Sequence, residues 1–215
     1  MSNQITAIQE KNKRYLIEID GLYHLFLYYR DIKSSKLKGV VEVNHILSED
    51  ELRYLNELVI QRGRRYIFNL LGQKDYSENQ LRDKLKKGMY LDAHINLILS
   101  PFIEKAYVND ERLLERKIDG YKKSKSKREI EYKLLQKGFK KDEIRRISER
   151  QIHDEDEAQS AYQCLEKKYR MKIIKNEEIP EKDKMLAFLS RRGYSIEICL
   201  KVYKEFLTNL SKNDK

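Results

Sequence analysis

Along the first fifty residues, hydrophobic positions alternate in short runs. Tyr15-Leu16-Ile17-Glu18-Ile19 meets Leu22-Tyr23-His24-Leu25-Phe26-Leu27 across Asp20-Gly21. Asp-Gly suits a two-residue hairpin because both central positions need positive φ. Val40 to Val43, after Lys38-Gly39, is the expected third strand. At Ser48-Glu49-Asp50-Glu51 the period changes, since a hydroxyl at the N-cap and a carboxylate three residues on form a capping box. Beyond it the spacing is helical.

That helical part repeats. Three segments share the frame apolar-x3-Leu-x4-aromatic-x4-apolar: Leu81, Leu85, Tyr90, Ile95; Ile130, Leu134, Phe139, Ile144; and Met185, Leu189, Tyr194, Cys199. Ile98, Ile147 and Val202 follow in step, and the copies lie 49 and 55 residues apart. Gly138 and Gly193 directly precede the aromatic, where a helix can stop in left-handed geometry, whereas Gly88 sits one residue earlier. Ser77-Glu78-Asn79-Gln80 and Ser126-Lys127-Arg128-Glu129 read as capping boxes, and Pro180-Glu181 opens the third copy with proline near N1. An amphipathic segment precedes each pair, at 64–71, 111–121 and 157–169. Chance matching of amphipathic helices is the competing account. Agreement at five positions with two capping boxes weighs against it.

The expected fold is therefore mainly α: three tandem three-helix repeats in a curved, elongated stack, preceded by a small N-terminal β-rich extension. The expected boundaries are 1–47 for the extension, then 48–110, 111–153 and 154–215 for the repeats. Eight glycines and two prolines in 215 residues agree with few turns.

Charge adds a location. The chain carries 45 Lys or Arg against 35 Asp or Glu, a net +10. Residues 1–50 are neutral and 51–110 carry +2, whereas 111–150 carry +7. The excess centres on Lys122, Lys123, Lys125, Lys127, Arg128, Lys137, Lys140, Lys141, Arg145 and Arg146. Such density favours a polyanion, because each neutralised phosphate releases counterions. A solvated face of Glu–Lys pairs is the bland alternative.

Catalytic chemistry has no positive support. No phosphate loop occurs among the glycines, and His24, His45, His94 and His153 show no metal-ligand spacing. His153 precedes Asp154-Glu155-Asp156-Glu157, which reads as an acidic helix start before it reads as a cation site. Cys164 and Cys199 fall on apolar helix positions and read as small core residues. Tyr66, Tyr90, Tyr162 and Tyr194 occupy core-like positions, leaving Tyr28, Tyr29 and Tyr121 freer to stack on bases. No catalytic residue, metal ligand or cofactor is expected. The longest run without Asp, Glu, Lys or Arg is Ala93 to Ile103, too short for a bilayer span of about 20 residues. With two cysteines and no signal-peptide profile at Met1 to Glu10, a reduced, cytoplasmic, soluble chain is expected.

The repeat, with Tyr76, Ser77, Gln80, Leu81 and Leu85 and with Tyr107, Val108, Asn109, Asp110 and Arg112, resembles the RecX family of bacterial recombination regulators. The resemblance spans about residues 60 to 210. Ala106 replaces the family's usual glycine, and Leu113-Leu114 stands where Phe-Ala is common. In the turn itself, Asn109 or Asp110 caps the next helix and Tyr107 with Val108 staples it to the core. The resemblance implies a non-enzymatic monomer that binds the RecA filament on single-stranded DNA. It also implies restraint of that filament's ATP hydrolysis, strand exchange and co-protease activity in DNA repair and the SOS response. The basic residues above are then the RecA- and DNA-binding candidates, and no membrane partner is expected. An autonomous DNA-binding helical module acting by competition for DNA is the alternative. A helical scaffold that docks a partner through the β extension is a third, weaker reading.

Overall fold

The computed structural model describes residues 2–11, 13–34, 36–174 and 181–213. Its N-terminal part is a three-stranded antiparallel meander in the order β1 (Ile5–Lys11), β2 (Arg14–Ile19), β3 (Leu22–Tyr28). The β2–β3 turn has Asp20 at φ 51° and Gly21 at φ 76°, as the Asp-Gly pair predicts. The third strand, however, is Ile5–Lys11 and not Val40 to Val43. Residues 37–44 run in turns, with Gly39 at φ 80° and Asn44 at φ 72°. Two left-handed residues so close together curl the backbone out of an extended path. Val40, Val41, Leu37 and Leu47 still reach the core, and one isolated bridge, Gln4 to Ile46, ties this segment to the sheet's edge.

After the short helix α1 (Tyr29–Ile32), the rest of the described chain is helical: α2 (Glu49–Leu71), α3 (Glu78–Lys87), α4 (Asp92–Glu104), α5 (Asp110–Lys122), α6 (Lys127–Gln136), α7 (Lys141–Gln151), α8 (Asp154–Ile174), α9 (Lys182–Arg191) and α10 (Ile196–Asn213). A long helix followed by two linked helices recurs three times. Every frame position of the three copies is buried, from Leu81 and Leu85 at 0% exposure to Tyr90 at 8%.

Two compact units divide the chain at Asn109/Asp110. In unit 1 the sheet has no core of its own: Ile17, Leu25 and Phe26 belong to the same apolar cluster as Leu55, Leu81 and Ile98. Gly63 on α2 is required there, because a Cβ would overlap the buried Ile98 side chain on α4. Unit 2 holds two separate cores, one around Leu114, Ile130 and Phe139, the other around Leu165, Leu189 and Phe206.

The helix caps differ from one copy to the next. Ser48 and Ser77 form complete capping boxes with Glu51 and Gln80. Ser126 accepts the Glu129 amide, but the Glu129 carboxylate turns to Lys125 and Lys133, so the reciprocal half is missing. Pro180 lies outside the described residues, and α9 begins at Lys182 with Glu181 as its N-cap. Gly138 (φ 82°) and Gly193 (φ 91°) are left-handed as expected. In the first copy Met89, at φ 70°, takes that position and Gly88 does not. The left-handed residue thus always directly precedes the aromatic.

In the turn before α5, Ala106 sits at φ 54°. Val108 is buried, but Tyr107 is 68% exposed and does not staple the turn.

A candidate polyanion-binding cleft on the second repeat

The second repeat is built so that α6 and α7 lie side by side. Ser126, fully buried, starts α6: its Oγ accepts the Glu129 N–H at 3.2 Å and donates to the Arg192 carbonyl at 2.6 Å. Glu157, in the acidic first turn of α8, accepts the Lys127 N–H at 3.0 Å. The left-handed Gly138 then reverses the chain, and Phe139 plugs the core beneath. Between the outer faces of α6 and α7 runs a cleft of about 430 Å³.

Four of the ten basic candidates meet at this cleft: Lys127 and Arg128 from α6, Lys141 and Arg145 from α7. Tyr132 (61% exposed) and Leu135 (50%) form its apolar side. Glu131 and Glu149 supply the only carboxylates among the lining residues. Arg145 Nε pairs with Glu149 at 2.8 Å, which holds that carboxyl below its usual range and raises the guanidinium's own pKa. Arg128 and Lys141 have no ion pair among the described residues, so the cleft keeps positive charge beside solvent-facing apolar surface. Cations next to an aromatic ring suit a single strand, whose phosphates and bases are satisfied together.

The other six candidates lie elsewhere. Lys122 bridges Asp119 (3.4 Å) and Asp156 (3.6 Å) and donates to the Gln151 carbonyl, so it joins α5, α7 and α8 structurally. Lys125 pairs with Glu129, and Lys140 with Glu143. Lys137 donates to the Tyr121 hydroxyl at 2.6 Å and lies over that ring, which lowers the phenol's pKa. Arg146 turns to Glu111 on α5. Lys123 is exposed at the end of α5. Neighbours in sequence, such as Arg145 and Arg146, diverge because adjacent helical residues lie about 100° apart.

Tyr132 and Leu135 escaped the sequence reading because they lie off the repeat frame. Their signal was an apolar pair at i, i+3 on the face opposite Ile130 and Leu134. Tyr66, expected in the core, is 38% exposed, while Tyr90 and Tyr194 are buried. Burial pushes the Tyr90 phenol up to about 12 and raises that of Tyr194, whose hydroxyl meets Ser160 Oγ at 3.0 Å. Tyr162 is half-buried, Tyr28 is half-buried under Arg62, and Tyr29 is exposed. Cys199 is buried and its thiol pKa is raised, and Cys164 is half-buried. Asp156 accepts the His153 N–H at 3.1 Å, so the acidic run caps its own helix. The His24 side chain lies outside what is described.

Known proteins place this architecture. Residues 154–203 match the family model described as "RecX, third three-helix domain". A protein of Caldanaerobacter subterraneus subsp. tengcongensis named "Regulatory protein RecX" is 31% identical over 190 residues, 88% of this chain and 91% of its own. The chain belongs to the RecX family. The Listeria welshimeri protein of the same name is 28% identical over 218 residues, covering 97% of this chain and 77% of its own. Two solved RecX structures share the fold. One superimposes with TM-score 0.61 at 19% identity, covering 94% of this chain and 98% of its own. The other, from Lactobacillus salivarius, gives 0.60 at 18% identity, covering 68% of this chain and 96% of its own. RecX relatives are thus named as regulators, and no helix of the described residues is long and apolar enough to cross a membrane.

Proposed function

We propose that this chain is a non-enzymatic regulator that binds the RecA filament on single-stranded DNA. It would inhibit that filament's ATPase, strand-exchange and co-protease activities in the bacterial cytoplasm, acting as a monomer. Family membership across 88% of the chain carries the reading. The α6–α7 cleft supplies a physical route: four cations beside exposed Tyr132 and Leu135 suit an anionic strand or an acidic protein face. A regulator must bind one filament state better than another, because equal affinity shifts nothing.

The test is ATP hydrolysis by RecA on saturating single-stranded DNA, with this protein titrated in substoichiometric amounts. Inhibition far below one molecule per RecA is expected. The triple variant Lys127→Glu, Arg128→Glu, Lys141→Glu should need about tenfold more protein, roughly 1.4 kcal/mol of lost binding. Lys122 is kept out of this variant because it holds helices together. Unchanged inhibition by the variant would remove the cleft from the mechanism. No inhibition until the DNA itself is covered would leave the autonomous DNA-binding module instead.

A further inference from the structure

Unit 1 holds a second cationic site, far from the charge-dense stretch of sequence. On one face of the sheet, cross-strand pairing sets Arg14 opposite Tyr28 and Leu16 opposite Phe26. Arg14 lies over the Phe26 ring at 5.0 Å and the Tyr28 ring at 5.7 Å. Arg62, from α2, lies over the same two rings at 5.6 and 4.5 Å. Two guanidiniums therefore share one aromatic platform. Lys84 and Lys87 on α3 and the Tyr66 ring on α2 close the rest of a cleft of about 340 Å³.

The charges do not balance. Asp31 pairs with Arg62, both less than a fifth exposed. Arg14 donates to the Gly88 carbonyl at 2.9 Å. Among the described residues no carboxylate pairs with Arg14, Lys84 or Lys87. Four cations with one carboxylate, set against aromatic walls that lower the local dielectric, leave a position where an anion relieves repulsion. Ring stacking and the Gly88 bond fix both forks, so little entropy is lost on binding. Tyr66, 38% exposed, gives the cleft an aromatic group still open to solvent.

We infer that this cleft is a nucleotide site, taking one phosphate among Arg14, Arg62 and Lys87 with a base against Tyr66. Its volume is near the lower end of small-molecule sites, about 300–1,000 Å³, which suits a single nucleotide. That nucleotide is either free or part of a single strand, and phosphate plus base is the chemistry common to both. The strand source deepens the filament reading and rests on it only for why a strand is at hand.

Direct binding of fluorescein-labelled oligo(dT) to the full chain, without RecA, tests the site. The variant Lys84→Glu, Lys87→Glu, Tyr66→Ala changes side chains that are not buried. It should weaken binding about tenfold and lower the salt slope of log K by about 0.7, the share of one single-strand phosphate that is no longer neutralised. Arg14→Gln, which removes one of the four cations, should weaken binding too. Displacement of the oligonucleotide by dTMP would mark a free nucleotide as sufficient, and resistance to dTMP would mark the strand as the ligand. Equal affinity and equal salt slope for wild type and both variants would overturn the site. Inorganic phosphate displacing the probe as well as dTMP would overturn the base contact and leave a bare anion hole. Loss of RecA inhibition is read separately, so failure of this site and failure of the filament proposal remain distinguishable.

Discussion

Ala106 is an L-residue at φ 54° in an exposed turn. The left-handed region costs a side chain about 1–2 kcal/mol, while glycine adds unfolded-chain entropy of about half that. Ala106→Gly should therefore stabilise unit 1 by about 0.5–1 kcal/mol, measured by urea unfolding. Asp20 carries a different kind of local effect. Its carboxylate accepts the Ser2 hydroxyl at 2.6 Å and the Asn3 and Gln4 amides at 3.0 Å, and these bonds hold its pKa below the usual range. Between the folded pKa and the ordinary value of about 3.9, the unfolded chain binds more protons, so stability rises with pH there. The contribution is complete above about pH 4 and is lost as pH falls through the folded value. Asp20→Asn should be less stable than wild type at neutral pH, and the gap should close as unfolding is followed toward acid. A gap that stays constant with pH would mean the charge is irrelevant to the turn.

Among the elements, the helix–turn–helix pairs were the most legible, because burial at i, i+4 and a left-handed residue before an aromatic are local requirements. Met89 shows the limit of that reading. The first copy keeps the left-handed position without its glycine, since packing of Tyr90 beneath the turn compels the backbone. The Gly193 turn has a second constraint that sequence could not reveal. A Cβ there would lie 2.9 Å from Ser126 Oγ and 3.2 Å from Arg128 Cβ, so the third repeat's turn sits on the second repeat's helix cap. Gly138→Ala should cost about 1 kcal/mol from φ alone, and Gly193→Ala about 2 kcal/mol or more, both by thermal unfolding. Equal losses would show that the cap yields without cost. The third strand was misplaced for a related reason. Val40 and Val41 are buried as hydrophobicity suggests, yet burial in turns and burial in a strand look the same in a four-residue run.

Across the whole molecule, counting charge along the chain located one cationic region and missed another. Residues 1–50 are neutral and 51–110 carry only +2, yet Arg14, Arg62, Lys84 and Lys87 meet in one cleft. Conversely, of ten cations clustered in sequence, four share the α6–α7 cleft while the rest are exposed, paired with acids or held by Tyr121. The triple reversal at Lys127, Arg128 and Lys141 should thus affect RecA inhibition more than a triple reversal at Lys125, Lys140 and Arg146, whose charges are already compensated. RecA ATPase titrations with the two variants measure that difference, and equal effects would return the mechanism to net charge alone.

Sequence by itself determined the three-fold repeat, its buried frame, the Asp-Gly hairpin and the family, because each depends on residues within a few turns of one another. Tertiary structure decided that the sheet shares its core with the first repeat, and which charges converge. Those outcomes depend on contacts across long sequence separations: 36 residues between Phe26 and Arg62, and 74 between Arg14 and Gly88. Helical periodicity gives the direction of a side chain from its own helix. It does not say which other element will stand opposite.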